Sequence, residues 1–289
     1  MINEKVFFEF YSEKVSSDIV EMENEYRTLK AYCDEFIRYY SIKEKTPDDQ
    51  IEIVQLAYMY AIIWDAFSVL SMSCNKDETN NLVFSSLATT ISNDILAIIK
   101  LSMDGLDYQA MNILRNLYEI GLLILNICMD EEKRKKFIRS ASEGDSYEVW
   151  RKYFNMGSML TTISDYTNNE NLKNYWMNDL KKYYSRLSSF AHNSFLNIYV
   201  FSFSSPKSDQ EKHILNSCAH YVTRYEQILI EMLEIIWIFT RIFKSLSEEP
   251  NLNSFFINLL GDNTNDCFIN ANNYCFFADY YFFKLMGIN

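Results

Sequence analysis

Residues 107–129 read D-Y-Q-A-M-N-I-L-R-N-L-Y-E-I-G-L-L-I-L-N-I-C-M. Ala110, Leu114 and Leu117 recur at the three- and four-residue steps of an α-helix. Apolar residues then close round nearly the whole circumference, which predicts a helix at the centre of a helical protein. Asp104-Gly105 punctuates the chain just before it, because glycine takes the left-handed conformation that ends a helix.

The same period extends in both directions. Upstream, a helix is expected over 81–103, another from the Thr46-Pro47-Asp48-Asp49 start to about 73, and a first helical stretch over 3–41, with a break at Ser16-Ser17. Downstream, a charged helix runs to about 142 and a second covers 146–163. Further helices follow over 172–195, 209–247 and 267–286, with a shorter one after Pro250. Residues 196–203 fit either a helical continuation or an extended run. The expected fold is an all-α, irregular multi-helix bundle of about eight to ten helices. Its central layer is expected from 107–129, 172–195 and 209–247. A single domain over 1–289 is expected, with an N-terminal helical extension (about 1–45) and an aromatic-rich C-terminal tail (about 250–289) packed on the body.

Composition agrees. The 289 residues are 48% hydrophobic and 16% aromatic, with only six glycines and three prolines, too few for an all-β fold with many tight turns. A net charge of -12 repels phosphate backbones at long range and argues against duplex DNA as a partner. The basic run Lys133, Arg134, Lys135, Lys136 and Arg139 follows three acids and reads as a solvated helix face. No two of the six cysteines are spaced C-x-x-C, so neither disulfides nor zinc are expected, and a cytoplasmic location fits. Charges interrupt the apolar stretches near 110–129 and 228–243, so no membrane span is expected.

Two polar clusters stand out within the apolar helices. In the first, Arg115 and Glu119 lie four apart on one helix face. They are either an ion pair that fixes packing or an arginine that holds an anion, oriented by its glutamate. In the second, Tyr184, Ser188 and His192 recur every four residues, with Ser185 and Ser189 one step round. His192 suits proton transfer near neutral pH, and equally suits a satisfied structural role. Arg186 precedes it by six residues, about 600° of rotation, so a straight helix does not aim the two at one point. A distortion or a second subunit is needed. The two clusters are expected to converge between central helices. His213 and His220 lie seven apart, but the carboxylate–histidine set of a di-iron bundle is missing, and neither metal nor cofactor is expected.

The order Gly105, Gln109-Ala110, Leu114-Arg115, Tyr118-Glu119, then Tyr184, Leu187-Ser188 and His192 resembles an uncharacterised all-helical bacterial family, over roughly residues 85–240. More distantly, Arg186-Leu-Ser-Ser-Phe-Ala-His192 is similar to the Arg, four to six residues, His pattern of the HEPN superfamily. That resemblance implies a helical, dimeric, metal-independent ribonuclease or toxin of a bacterial defence or toxin–antitoxin system. Its partners would be RNA or a protein such as an antitoxin. Arg186 would stabilise phosphate charge and His192 transfer a proton, with Arg115, Glu119, Tyr184, Ser188 and Ser189 in support. Leu187 departs from the pattern, which commonly has a polar residue there. The alternative is a non-enzymatic helical module that binds a protein partner or a small anion, its Arg/Glu/His cluster serving as structural glue.

Overall fold

The computed structural model describes residues 3–15, 18–39, 51–74, 76–144, 146–166, 170–191, 203–204, 214–215, 225–261 and 266–287. These residues form an all-α protein with twelve helices. They are α1 (Glu4–Lys14), α2 (Ile19–Tyr39), α3 (Ile51–Cys74), α4 (Glu78–Met103), α5 (Asp107–Met129), α6 (Glu131–Glu143), α7 (Ser146–Tyr153), α8 (Met156–Tyr166), α9 (Glu170–Ala191), α10 (Tyr225–Ser247), α11 (Asn253–Leu260) and α12 (Asp266–Leu285).

The helix count exceeds the expected eight to ten, partly because short polar side chains stop and restart helices. The Asp18 carboxylate accepts from the Val20 amide at 2.8 Å and begins α2. Asn155 Oδ1 accepts from the Ser158 amide at 3.0 Å, so the helix expected over 146–163 is two, α7 and α8. A second expectation also fails. Phe203–Ser204 pairs antiparallel with Ile214–Leu215, so residues 214–215 are extended and not part of one continuous helix over 209–247, and α10 is described from Tyr225 onward. The Thr46-Pro47 helix start and Ser16-Ser17 lie outside the described residues.

The core is built on α3 and α4, which pack along their length as a hairpin. Three hydroxyls between them pair with one another. Ser68 Oγ lies 2.6 Å from Ser85 Oγ and 2.8 Å from Thr89 Oγ1. The buried Asn81 amide donates to the Ser71 carbonyl at 2.8 Å and to the Leu259 carbonyl at 3.1 Å, joining three helix ends. Helix α4 stops as the sequence predicts. Gly105 adopts φ +72°, its amide bonds the Ser102 carbonyl at 3.1 Å, and the Leu106 amide reaches back to Leu101 at 2.8 Å.

Helix α5 then packs on α4, and also meets α10, α9, α8 and α6, which makes it the hub of the fold. Trp64 is fully buried, and its Nε1 donates to Thr240 Oγ1 at 3.1 Å, tying α3 to α10. The central layer is therefore α3, α4, α5 and α10. The helix over 170–191 is not part of it, contrary to expectation. Its Leu180, Tyr183 and Leu187 are buried, whereas Lys181, Lys182, Ser185 and Arg186 face solvent, so it covers the core from one side.

The two ends of the chain meet. Phe7 of α1 packs edge-on against Phe277 of α12, with centroids 4.9 Å apart, and Tyr274 Oη donates to Glu25 Oε2 at 2.9 Å. Helix α12 also lies along α3. By length and composition α3 and α4, outside the two stretches near 110–129 and 228–243, would suffice to cross a membrane. Within the protein 67% of the apolar window of α3 and 50% of that of α4 are buried, as in core helices. Among the described residues Cys33, Cys74, Cys128 and Cys275 are free thiols.

Candidate functional site

Helices α5 and α9 bring part of the two predicted clusters together. Tyr118, fully buried, donates its hydroxyl to the Leu180 carbonyl of α9 at 2.5 Å. Its ring lies 6.4 Å from that of Tyr184, at an interplanar angle of 29°. Burial pushes the Tyr118 hydroxyl far above its ordinary pKa, so it is a neutral donor. Arg115 and Glu119 pair along α5, Nε to Oε1 at 2.9 Å, with side chains 21% and 28% exposed. The pair is intrahelical.

Arg186 goes elsewhere. It lies two positions beyond Tyr184, about 200° round the helix, and so turns from α5 toward α10. Its Nη2 forms an ion pair with Glu231 Oε2 at 3.0 Å. The arginine side chain is 56% exposed and the glutamate side chain only 5%. Burial raises the pKa of Glu231, and the Arg186 charge opposes that rise. One turn away, the Tyr183 hydroxyl donates to Glu234. Ser189 spends its hydroxyl on the Arg186 carbonyl at 2.6 Å, and Ser188 is half-buried. His192, on which the predicted convergence with Arg115 and Glu119 depends, lies outside the described residues, as do His213 and His220.

The site in hand is thus a seam in which α9 is clamped to α5 by Tyr118 and to α10 by two carboxylates. Comparison with protein-family models, with curated proteins and with solved structures found no match. The seam must be read from its own chemistry.

Glu231 and Glu234 were visible in the sequence only as charges interrupting an apolar run. Their i, i+3 spacing on an otherwise apolar helix was the signal that buried partners were needed.

The basic run after residue 132 also differs from expectation. Lys133 is buried, and its ammonium donates to Asn126 Oδ1 at 3.0 Å, Ser158 O at 3.1 Å and Thr162 Oγ1 at 2.5 Å. Arg134 lies over the Phe255 ring at 4.2 Å and donates to Ile127 O at 2.7 Å. Only part of the run is a solvated face, since every fourth residue of a helix flanked by α5 and α8 must turn inward. Beside it a cleft of about 350 Å³ opens between the first turns of α4 and α6 and one side of α11, lined by Asp77, Asn80, Glu131, Arg134, Lys135 and Phe255. Among the described residues no group of three or more His, Cys, Asp or Glu side chains is placed to hold a metal ion.

Proposed function

We propose that this chain is a non-enzymatic helical module whose Arg/Glu seam is structural and which binds a small anion or a protein partner elsewhere. One observation carries the reading: each candidate arginine is paired with a carboxylate of its own chain, Arg115 with Glu119 and Arg186 with Glu231. A guanidinium neutralised in this way has less charge to give a phosphate, while the buried Glu231 depends on it. The 350 Å³ cleft is the binding seat this reading favours, with Arg134 supplying positive charge beside two helix starts, while Lys135 is paired with Glu131 at 2.6 Å.

A second reading, a HEPN-like metal-independent ribonuclease acting as a homodimer, keeps one specific support. More than half of the Arg186 side chain is exposed, so the guanidinium can reach a ligand while its Nη2 stays ion-paired with Glu231. Purified protein incubated with total RNA, beside Arg186→Ala and His192→Ala, separates the readings. The structural reading expects intact RNA in all three tubes and a lowered melting temperature for Arg186→Ala. Cleavage by the wild type that is lost in both folded variants overturns it and establishes the second.

A further inference from the structure

Helices α3, α10 and α12 enclose a polar group that neither reading uses. Lys244 of α10 has its Nζ buried and without a hydrogen-bond acceptor. The ammonium lies over the ring of Phe276 of α12, and that ring is 45% exposed. On the same side of α12, the Asp279 carboxylate has Oδ2 3.8 Å from Arg241 Nε, while its Oδ1 is buried and unbonded. Tyr60 Oη from α3 and Trp237 Nε1 from α10 face that carboxylate without closing an aligned bond. Cys275, a buried free thiol, lies within electrostatic range of Lys244.

A buried amine with no acceptor is held poorly as a cation. Burial lowers the Lys244 amine to about 8; Cys275, Glu248 and Asp279 oppose the fall, and Arg241 adds to it. At pH 7 about a tenth of such an amine is neutral, against about three in ten thousand for an ordinary lysine. A desolvated lysine beside a second cation is a nucleophile at neutral pH. A half-exposed phenylalanine lies directly against this one.

We propose that Lys244 is an imine-forming site for a small carbonyl compound bearing a carboxylate, admitted when the Phe276 ring swings outward. Arg241, at the solvent edge of the group, is the residue that meets the carboxylate. The Lys244 lone pair forms the C–N bond as the carbonyl π pair moves to oxygen, which takes up a proton. The resulting hydroxyl leaves as water, with a proton from Asp279, whose carboxyl burial raises to about 6. Over the sequence nitrogen gives up both of its protons, one balancing the proton taken up by the carbonyl oxygen and one returning to Asp279. Amine and carbonyl become imine and water, with no change of oxidation state.

The test is reductive trapping with glyoxylate and cyanoborohydride near pH 7, read by intact mass and peptide mapping. Wild-type protein is expected to gain one carboxymethyl group at Lys244 about tenfold faster than at its exposed lysines. Phe276→Ala should label faster still, and Lys244→Arg should lose the fast phase while keeping its circular dichroism spectrum. Label spread over surface lysines, with Lys244 unmodified or no faster in both wild type and Phe276→Ala, overturns the proposal. The readout is independent of RNA cleavage and of the cleft, so it stands or falls apart from the function proposed above.

Discussion

Gly121 of α5 sits against the ring of Phe239 of α10, so closely that a Cβ at position 121 would lie 2.3 Å from the ring's Cδ2. Both residues are buried, and the contact sets how near the hub helix approaches α10. Gly121 is helical, where glycine is otherwise a poor choice by about 1 kcal/mol. Close approach is what the missing side chain provides. Gly121→Ala should therefore destabilise the protein by about 1–3 kcal/mol despite the better helix propensity, as ring or helix must move. Urea unfolding measures this, and a more stable variant would refute the contact.

The Arg186–Glu231 pair joins an exposed cation to a buried anion. Removing the cation leaves the carboxylate desolvated and uncompensated. Solvent screening of the half-exposed guanidinium moderates the loss. Arg186→Ala should cost about 1 kcal/mol, and adding Glu231→Gln should recover much of it. A double-mutant cycle with no coupling would show that the two side chains do not interact.

Asp94 of α5's neighbour α4 is buried and accepts from Asn116 Nδ2 at 2.7 Å. Burial raises its pKa from 3.8 to about 6, and the Asn116 bond works against the rise. The folded protein therefore holds this proton more tightly than the unfolded chain. The resulting stability is fully present below pH 3.8, falls as pH rises to about 6, and is level beyond. Compared with Asp94→Asn, the wild type should lose on the order of 2 kcal/mol across that window. Parallel melting curves of the two proteins from pH 4 to 7 give the difference; a flat one would mean an ordinary carboxylate.

Lys133 ties α6 to α5 and α8 through three oxygen acceptors. Lys133→Met keeps the stem packed but leaves Asn126 Oδ1 without its donor. A loss of about 2 kcal/mol is expected, along with faster amide exchange in α8. Retention of full stability would place this lysine among the surface charges after all.

Individual residues show what was legible. The glycine stop at 105 and the central place of 107–129 could be read directly, since backbone conformation and apolar period are local properties. The break at Asn155 was missed because the apolar period runs across it, and only the side-chain cap reveals two helices. The polar residues fared differently. Arg115 and Glu119 lie within one turn, so their pairing followed from spacing alone. Arg186 could not be matched to Glu231 that way, because forty-five positions separate them and several acids were available.

The order and period of apolar residues determined by themselves that this protein is all-α, and that residues 107–129 lie at its heart, because a helix repeats every 3.6 residues whatever surrounds it. Tertiary structure alone decided which charges are buried, and against what. It paired Glu231 with Arg186, sank Lys133 among neutral oxygens, and left the Lys244 amine under an aromatic ring. Desolvation depends on every neighbour in space, and a linear pattern records only the neighbours along the chain.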